Sequence, residues 1–431
     1  MLIITVIGLA HDIPFSVIWE RFSLCLFQRQ LKQFYNLSRF DSINNVTLGG
    51  MKFFIFNFFL GLTALFYGLE ADAQIDYKRA VEADKVHSML VNGRQVKGQG
   101  IVVAVIDTGV ANFHPDMKGK FVTGNPSPHR SFHHDSSIVI DRDGHGTHVA
   151  TTIVADRYGI APEARILNIR LADNPTPAPT PLVPNPRPSF NLESLADAIR
   201  YAVNAGANII NLSLGGEFPN SALKAPIVEK LYQALAYADV NGVLIVAAAG
   251  NGVPKNPLQP HLGNEGIDIS FLAYMPASIN SGNFVNSFNE RKPIQNLIVV
   301  CAVNDDNTLA EFSNYSLDKV HVCAPGVGIE AANYLHSESM LGFTYARTVL
   351  KNGTSMATPI VAGVAALLWS ADKTKLNAAK VKDYILRASK DKKNRPDYPS
   401  LEGRTQTGSV INANDVMSLY LDENKPFLGG H

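Results

Sequence analysis

Residues 101–109 read Ile101-Val102-Val103-Ala104-Val105-Ile106-Asp107-Thr108-Gly109, six consecutive apolar side chains that end on an acid and a glycine. An apolar run without polar alternation is a strand covered on both faces, the condition of strands in parallel sheets flanked by helices. Runs of the same kind recur at 165–169, 207–212, 243–248, 297–303 and 319–323. Between and after them, 147–155, 192–205, 222–241 and 356–369 carry helical patterns, and the last is apolar on every side, as for a core helix. This order predicts an α/β fold of three layers, a mainly parallel central sheet with helices on both faces. In such folds, functional side chains gather where strands end.

Composition narrows the function classes. The chain has 431 residues, 46% of them hydrophobic, enough for one large domain with a substantial core. Its 38 basic and 38 acidic side chains give a net charge of zero, so bulk electrostatics recruit neither nucleic acid nor an anionic membrane surface. Between positions 175 and 188, seven of fourteen residues are proline. Such a stretch lacks the backbone donors of a helix or a central strand and reads as a stiff exposed loop.

Met51-Lys52 opens an apolar run that closes on Ala71-Asp72-Ala73. A basic start, an apolar middle and small residues at the cut describe a signal peptide over 51–73, cleaved before Gln74. The expectation is therefore a secreted or periplasmic product with no stable membrane association after cleavage. Residues 1–50 lie on the wrong side of that signal and read as an upstream extension, with Met51 the true start. The main folded domain would span 74–421, followed by a tail at 422–431. Asp107 follows Gln74 by only 33 residues, so no further domain is expected between the cut and the first strand. Cys301 and Cys323 are the two cysteines after residue 73; both a disulfide and two buried thiols suit their apolar surroundings.

Three segments place a reactive side chain beside a glycine. Asp107 follows the first strand; His145 stands in Asp143-Gly144-His145-Gly146-Thr147-His148; Ser355 stands in Asn352-Gly353-Thr354-Ser355-Met356-Ala357-Thr358-Pro359. Together they supply a nucleophile, a base and an orienter for the base, as acyl transfer requires. A fourth segment, Ala247-Ala248-Ala249-Gly250-Asn251, ends in an amide able to donate to an oxyanion, and the N–H of Ser355 at a helix start is a second donor.

With the acid, histidine and serine motifs in this order, the chain from about Gln74 to Leu421 resembles the subtilisin-like serine proteases. The resemblance implies a secreted endopeptidase that acts through a covalent acyl-enzyme on protein or peptide substrates bound in extended form. It also implies that Ser213-Leu214-Gly215-Gly216 is the strand that pairs with substrate, and that Ala248, Ala249 and Gly250 help to wall the pocket. No metal or cofactor is required for this chemistry. His133, His134 and Asp135 read as a solvated loop and His148 as a packed helix residue.

Two departures from the family stand out. Thr151 replaces a glycine usual after His-Val-Ala, and the connection from Ala155 to Ile160 has no room for the calcium loop that many relatives carry there. The tight calcium site is accordingly expected to be absent, with a weak one elsewhere still open. The Pro-rich segment is expected to rim the cleft. Two rivals to hydrolysis are an acyl transferase or peptide cyclase and a non-catalytic peptide-binding relative.

Overall fold

The computed structural model describes residues 76–133, 138–172, 190–218, 226–255, 263–269, 273–276, 293–333, 338–340, 343–345, 348–391 and 400–425. The chain divides between Ala73 and Gln74 into two units, and every described residue lies in the second. The signal peptide and upstream extension read from 1–73, and the Pro-rich segment, lie outside the described residues.

Seven strands form one sheet, β1 (Val102–Asp107), β2 (Arg130–Ser131), β3 (Arg165–Arg170), β4 (Ile209–Leu212), β5 (Leu244–Ala248), β6 (Leu297–Val303) and β7 (Val322–Pro325). Their order across the sheet is β7-β6-β5-β4-β1-β3-β2, and every neighbouring pair is parallel. Around it pack α1 (His145–Val154), α2 (Leu192–Asn204), α3 (Pro226–Val240), α4 (Thr354–Ala371), α5 (Ala378–Lys390) and α6 (Ala413–Glu423).

Apolar runs make such a sheet because successive side chains point to opposite faces, and both faces here are covered. Val103 and Val105 of β1 join a core cluster with residues of α1, α4, α5 and α6. Ala104 and Ile106, one step out of phase, join the other with residues of α2 and α3. These are the two helical layers expected from the sequence. By length and composition α4 could cross a membrane, yet 89% of its apolar window is buried inside the protein, so it is a core helix.

Some boundaries move. The run at 319–323 is a regular strand only from Val322 to Pro325, although the His321 N–H already donates to the Val299 carbonyl of β6. Lys319 Nζ donates to the Ile269 carbonyl, and His321 Nδ1 accepts from the Val299 N–H. Cys301 and Cys323 sit opposite one another on β6 and β7 and are joined by a disulfide. Beyond β7 an antiparallel pair, β8 (Ile329–Ala332) and β9 (Thr348–Lys351), adjoins α1.

Candidate active site

The order of the sheet puts the carboxyl ends of β1, β4 and β5 side by side at the point where the chain switches direction, where open α/β sheets place their ligands. Asp107 closes β1, Ser213 follows β4 and Asn251 follows β5. A cleft of about 450 Å³ opens there, lined by Asp107, His145, Ser213, Asn251 and Ser355 among others.

Two glycines allow the approach of strand end and helix. Gly109 has φ +100°, and a Cβ there would stand 2.6 Å from the Val139 carbonyl oxygen. At Gly146 a Cβ would stand 2.1 Å from the Gly109 carbonyl oxygen and 3.1 Å from Asp107. His145 can therefore reach Asp107: its Nδ1 lies 2.7 Å from Asp107 Oδ1. The Thr108 N–H also donates to Oδ1, at 2.7 Å. Asp107 is buried and the His145 side chain about a quarter exposed, at 26%. Burial pulls the imidazole's proton affinity down, but the charge and hydrogen bond of Asp107 outweigh it, and the net shift is upward. Lys351 opposes that rise.

Ser355 lies in the first turn of α4 and is locked to β4 from both directions. Its Oγ donates to the Ser213 carbonyl at 2.9 Å, and Ser213 Oγ donates to the Ser355 carbonyl at 2.8 Å. Asn211 Nδ2 in turn donates to Ser213 Oγ at 3.0 Å. In this arrangement the Ser355 hydroxyl proton is directed at the Ser213 carbonyl. Asn251 is oriented by α4 itself: its Oδ1 accepts from the N–H and Oγ of Thr354 at 2.8 and 2.9 Å. These bonds satisfy one orphan donor of the helix start and leave the amide NH2 as the free end. The Ser355 N–H, in the same turn, has no acceptor within the helix.

Residues not singled out from sequence complete the site. Asp141, buried at 2% exposure, accepts from Thr108 Oγ1, Asp143 N–H and Gly144 N–H on Oδ1, each at 2.9 Å. Its Oδ2 accepts from the Thr147 N–H at 2.9 Å and from Thr147 Oγ1 at 2.6 Å. Thr108 Oγ1 accepts from the Gly146 N–H, so one carboxylate joins the turn after Asp107 to the helix of His145. The signal was available: an Asp four residues ahead of His145 and just upstream of a helix is a capping pattern. Phe190 and Lys351 also line the cleft with no local pattern to announce them, beside Asn352 of the serine motif.

Of the expected wall residues, Ser213, Leu214, Gly215, Ala248 and Gly250 line the cleft. Ala249 does not; its side chain is fully buried in the core cluster with α2 and α3, because the β5 run continues through it. Gly216 pairs with Met275 in a short antiparallel ladder and is likewise absent from the lining. His148 is packed as expected, its Nε2 on the carbonyls of Ile329 and Val349. Thr151 finds a use: its Oγ1 bonds back to the Thr147 carbonyl and accepts from the Ala332 N–H of β8. Of the solvated loop, His134 and Asp135 lie outside the described residues. Ala172 and Phe190, the described residues on either side of the Pro-rich segment, both line the cleft.

A parallel sheet with an acid, an imidazole and a hydroxyl at its carboxyl edge defines an α/β protein equipped for acid–base and nucleophilic chemistry. The chain belongs to the subtilase family, whose model matches residues 98–404. It is 35% identical over 277 residues to the thermophilic serine proteinase of Bacillus sp. (strain AK1), covering 63% of this chain and 52% of that protein. With thermitase of Thermoactinomyces vulgaris it shares 33% identity over 287 residues, 65% of this chain and 79% of thermitase. The chain thus matches about half the length of the first relative and most of the second. Among solved structures, a cold adapted subtilisin-like serine proteinase aligns with TM-score 0.53 over 77% of this chain and 97% of its own, at 24% identity, a likeness of fold. The prenylagaramide maturation protease PagA aligns with TM-score 0.51 and 28% identity over 74% of this chain and 92% of its own.

Proposed function

We propose that the protein is a secreted serine endopeptidase in which Asp107, His145 and Ser355 form the catalytic triad. The observation that carries this reading is the 2.7 Å contact between His145 Nδ1 and Asp107 Oδ1 in the cleft that Ser355 and Asn251 also line. An Nδ1–H held by the carboxylate leaves Nε2 as the proton acceptor. Ser355 Oγ leaves the Ser213 carbonyl, gives its proton to Nε2 and bonds to the substrate carbonyl carbon. The oxyanion takes donors from the Asn251 amide and the Ser355 N–H. His145 then returns the proton to the departing amine, and water releases the acyl group by the same steps in reverse. Ser213, Leu214 and Gly215 offer backbone groups to an extended protein or peptide substrate.

A fluorophosphonate probe should label the purified protein and not Ser355→Ala. Turnover should fall by about 10⁴ to 10⁶ in Ser355→Ala or His145→Ala, the scale of loss when a member of such a triad is removed, and by about 10² to 10³ in Asn251→Ala. Ordinary peptidase activity in Ser355→Ala contradicts the assignment. Products formed with and without added amine separate hydrolysis from capture of the same acyl-enzyme by an amine.

The connection after α1 supports a further element of this reading. Tyr158 Oη donates to the Asp116 carboxylate at 2.6 Å and the Gly159 N–H to the Ala155 carbonyl at 2.8 Å. Hydrogen bonds close this turn, whereas a calcium ion needs six or more oxygens. Chelator should therefore cause no sharp drop in the melting temperature; a sharp drop reversed by calcium speaks against it.

A further inference from the structure

The cleft carries one charge that the proposed chemistry does not use. Lys351 ends β9 and, with Asn352, forms part of the wall around Ser355. It lies opposite Ile329 in the β8–β9 ladder, the pair of strands on whose carbonyls His148 of α1 rests. The hairpin is thus seated against the helix that carries His145, and the charge of Lys351 acts on both His145 and His148. Asn251 and Ser213 belong to the ends of β5 and β4, so the cleft has an imidazole side and an oxyanion side.

Chemistry says which half of a substrate each side meets. The amine that departs takes its proton from His145, so the chain beyond the cut bond has to pass the imidazole. Lys351 lies in the cleft lining, on the strand pair that packs against the helix of the imidazole. Among the described residues it makes no ion pair, and the only carboxylate in the lining, Asp107, is buried and bonded to His145.

We infer that Lys351 makes the leaving-group half of the cleft selective for an acidic side chain in the first two residues after the cut bond. The inference rests on the peptidase reading. Attraction between unit charges about 4 Å apart in a water-filled cleft is worth about fivefold in kcat/KM, and salt weakens it because the screening length falls to about 3 Å at 1 M.

The test uses quenched peptides of one sequence that differ only after the cut, in Glu, Gln or Lys. At low salt kcat/KM should rank Glu above Gln above Lys, with Glu about fivefold over Gln, and the spread should shrink in 1 M NaCl. Lys351→Gln should abolish the preference for Glu, Lys351→Glu should invert it, and Lys351→Arg should keep it. Should the Gln variant fail to fold, the salt series on the unaltered protein still decides. Hydrolysis without a preference for Glu, or a ranking untouched by Lys351→Gln, overturns the inference and spares the peptidase reading. Hydrolysis of none of the peptides removes both.

Discussion

Asp141 accepts five hydrogen bonds through two oxygens, an unusual load for one carboxylate, and its donors come from both sides of the Asp107–His145 contact. Burial raises its affinity for a proton, against the pull of those donors, so full occupancy by N–H and O–H groups is what lets it stay buried as an acceptor. Its part is to position the pair: it touches neither the reacting serine nor the imidazole. Asp141→Asn must turn an NH2 toward donors on one side or the other, which loosens the turn after Asp107 or the start of α1. A misplacement of this kind costs up to about 10² in rate. Folded Asp141→Asn should accordingly lose about tenfold to a hundredfold in kcat with KM little changed, and should react more slowly with a fluorophosphonate. An unaltered kcat would reduce Asp141 to a cap of α1. The candidate triad and Asn251 were legible in the sequence because each stands in a local motif of strand end or helix start. The bracing by Asp141, Ser213 and Thr354 was less so, since their partners lie up to 142 residues away.

At the scale of elements, the open question of the cysteines is answered by register. Cys301 and Cys323 face each other across neighbouring parallel strands, and no spacing rule could have revealed it, because strand partners are chosen by the fold and not by the 22 residues between them. Closing a loop of that length removes about 3 kcal/mol worth of freedom from the unfolded chain. Cys301→Ala/Cys323→Ala should therefore be less stable by about 3 kcal/mol in denaturant titration. Alkylation of the denatured, unreduced protein should modify neither cysteine. Both outcomes are needed: label found on Cys301 or Cys323, or a double variant as stable as the parent, contradicts a structural disulfide. The apolar runs made the strands themselves easy to read, whereas their ends shifted where His321 takes the Val299 N–H of the neighbouring strand with a ring nitrogen and Lys319 reaches the Ile269 carbonyl.

For the whole molecule, zero net charge hides an asymmetry in how protons are bound. Four histidines are held below their ordinary affinity. Burial, then the charge of Lys351, takes His148 down to about 3. Burial, then Lys382 and Lys390, holds His321 well below the usual range, and burial lowers His87 and His129. Above about pH 6.5 these groups are neutral folded or unfolded and contribute nothing. Below it the unfolded chain binds protons that the folded one refuses, so stability falls as pH drops from 6.5 toward the folded values. His148 alone sets a slope of up to about 1.4 kcal/mol per pH unit there. His145 works the other way, but above about pH 6.5: its raised folded affinity adds stability as pH falls toward 6.5 and a constant amount below it. Asp141, also raised, gains as pH falls through its folded value and offsets part of the histidines' loss there. Denaturant midpoints of Ser355→Ala, chosen to prevent self-digestion, should not fall between pH 8 and 7, where His145 adds stability as pH drops, and should decline from about pH 6.5, above the range in which ordinary carboxylates titrate. His148→Gln in the same background should flatten part of that decline. A midpoint that stays level down to pH 4.5 would mean that water or a rearranged core protonates these histidines without unfolding the protein.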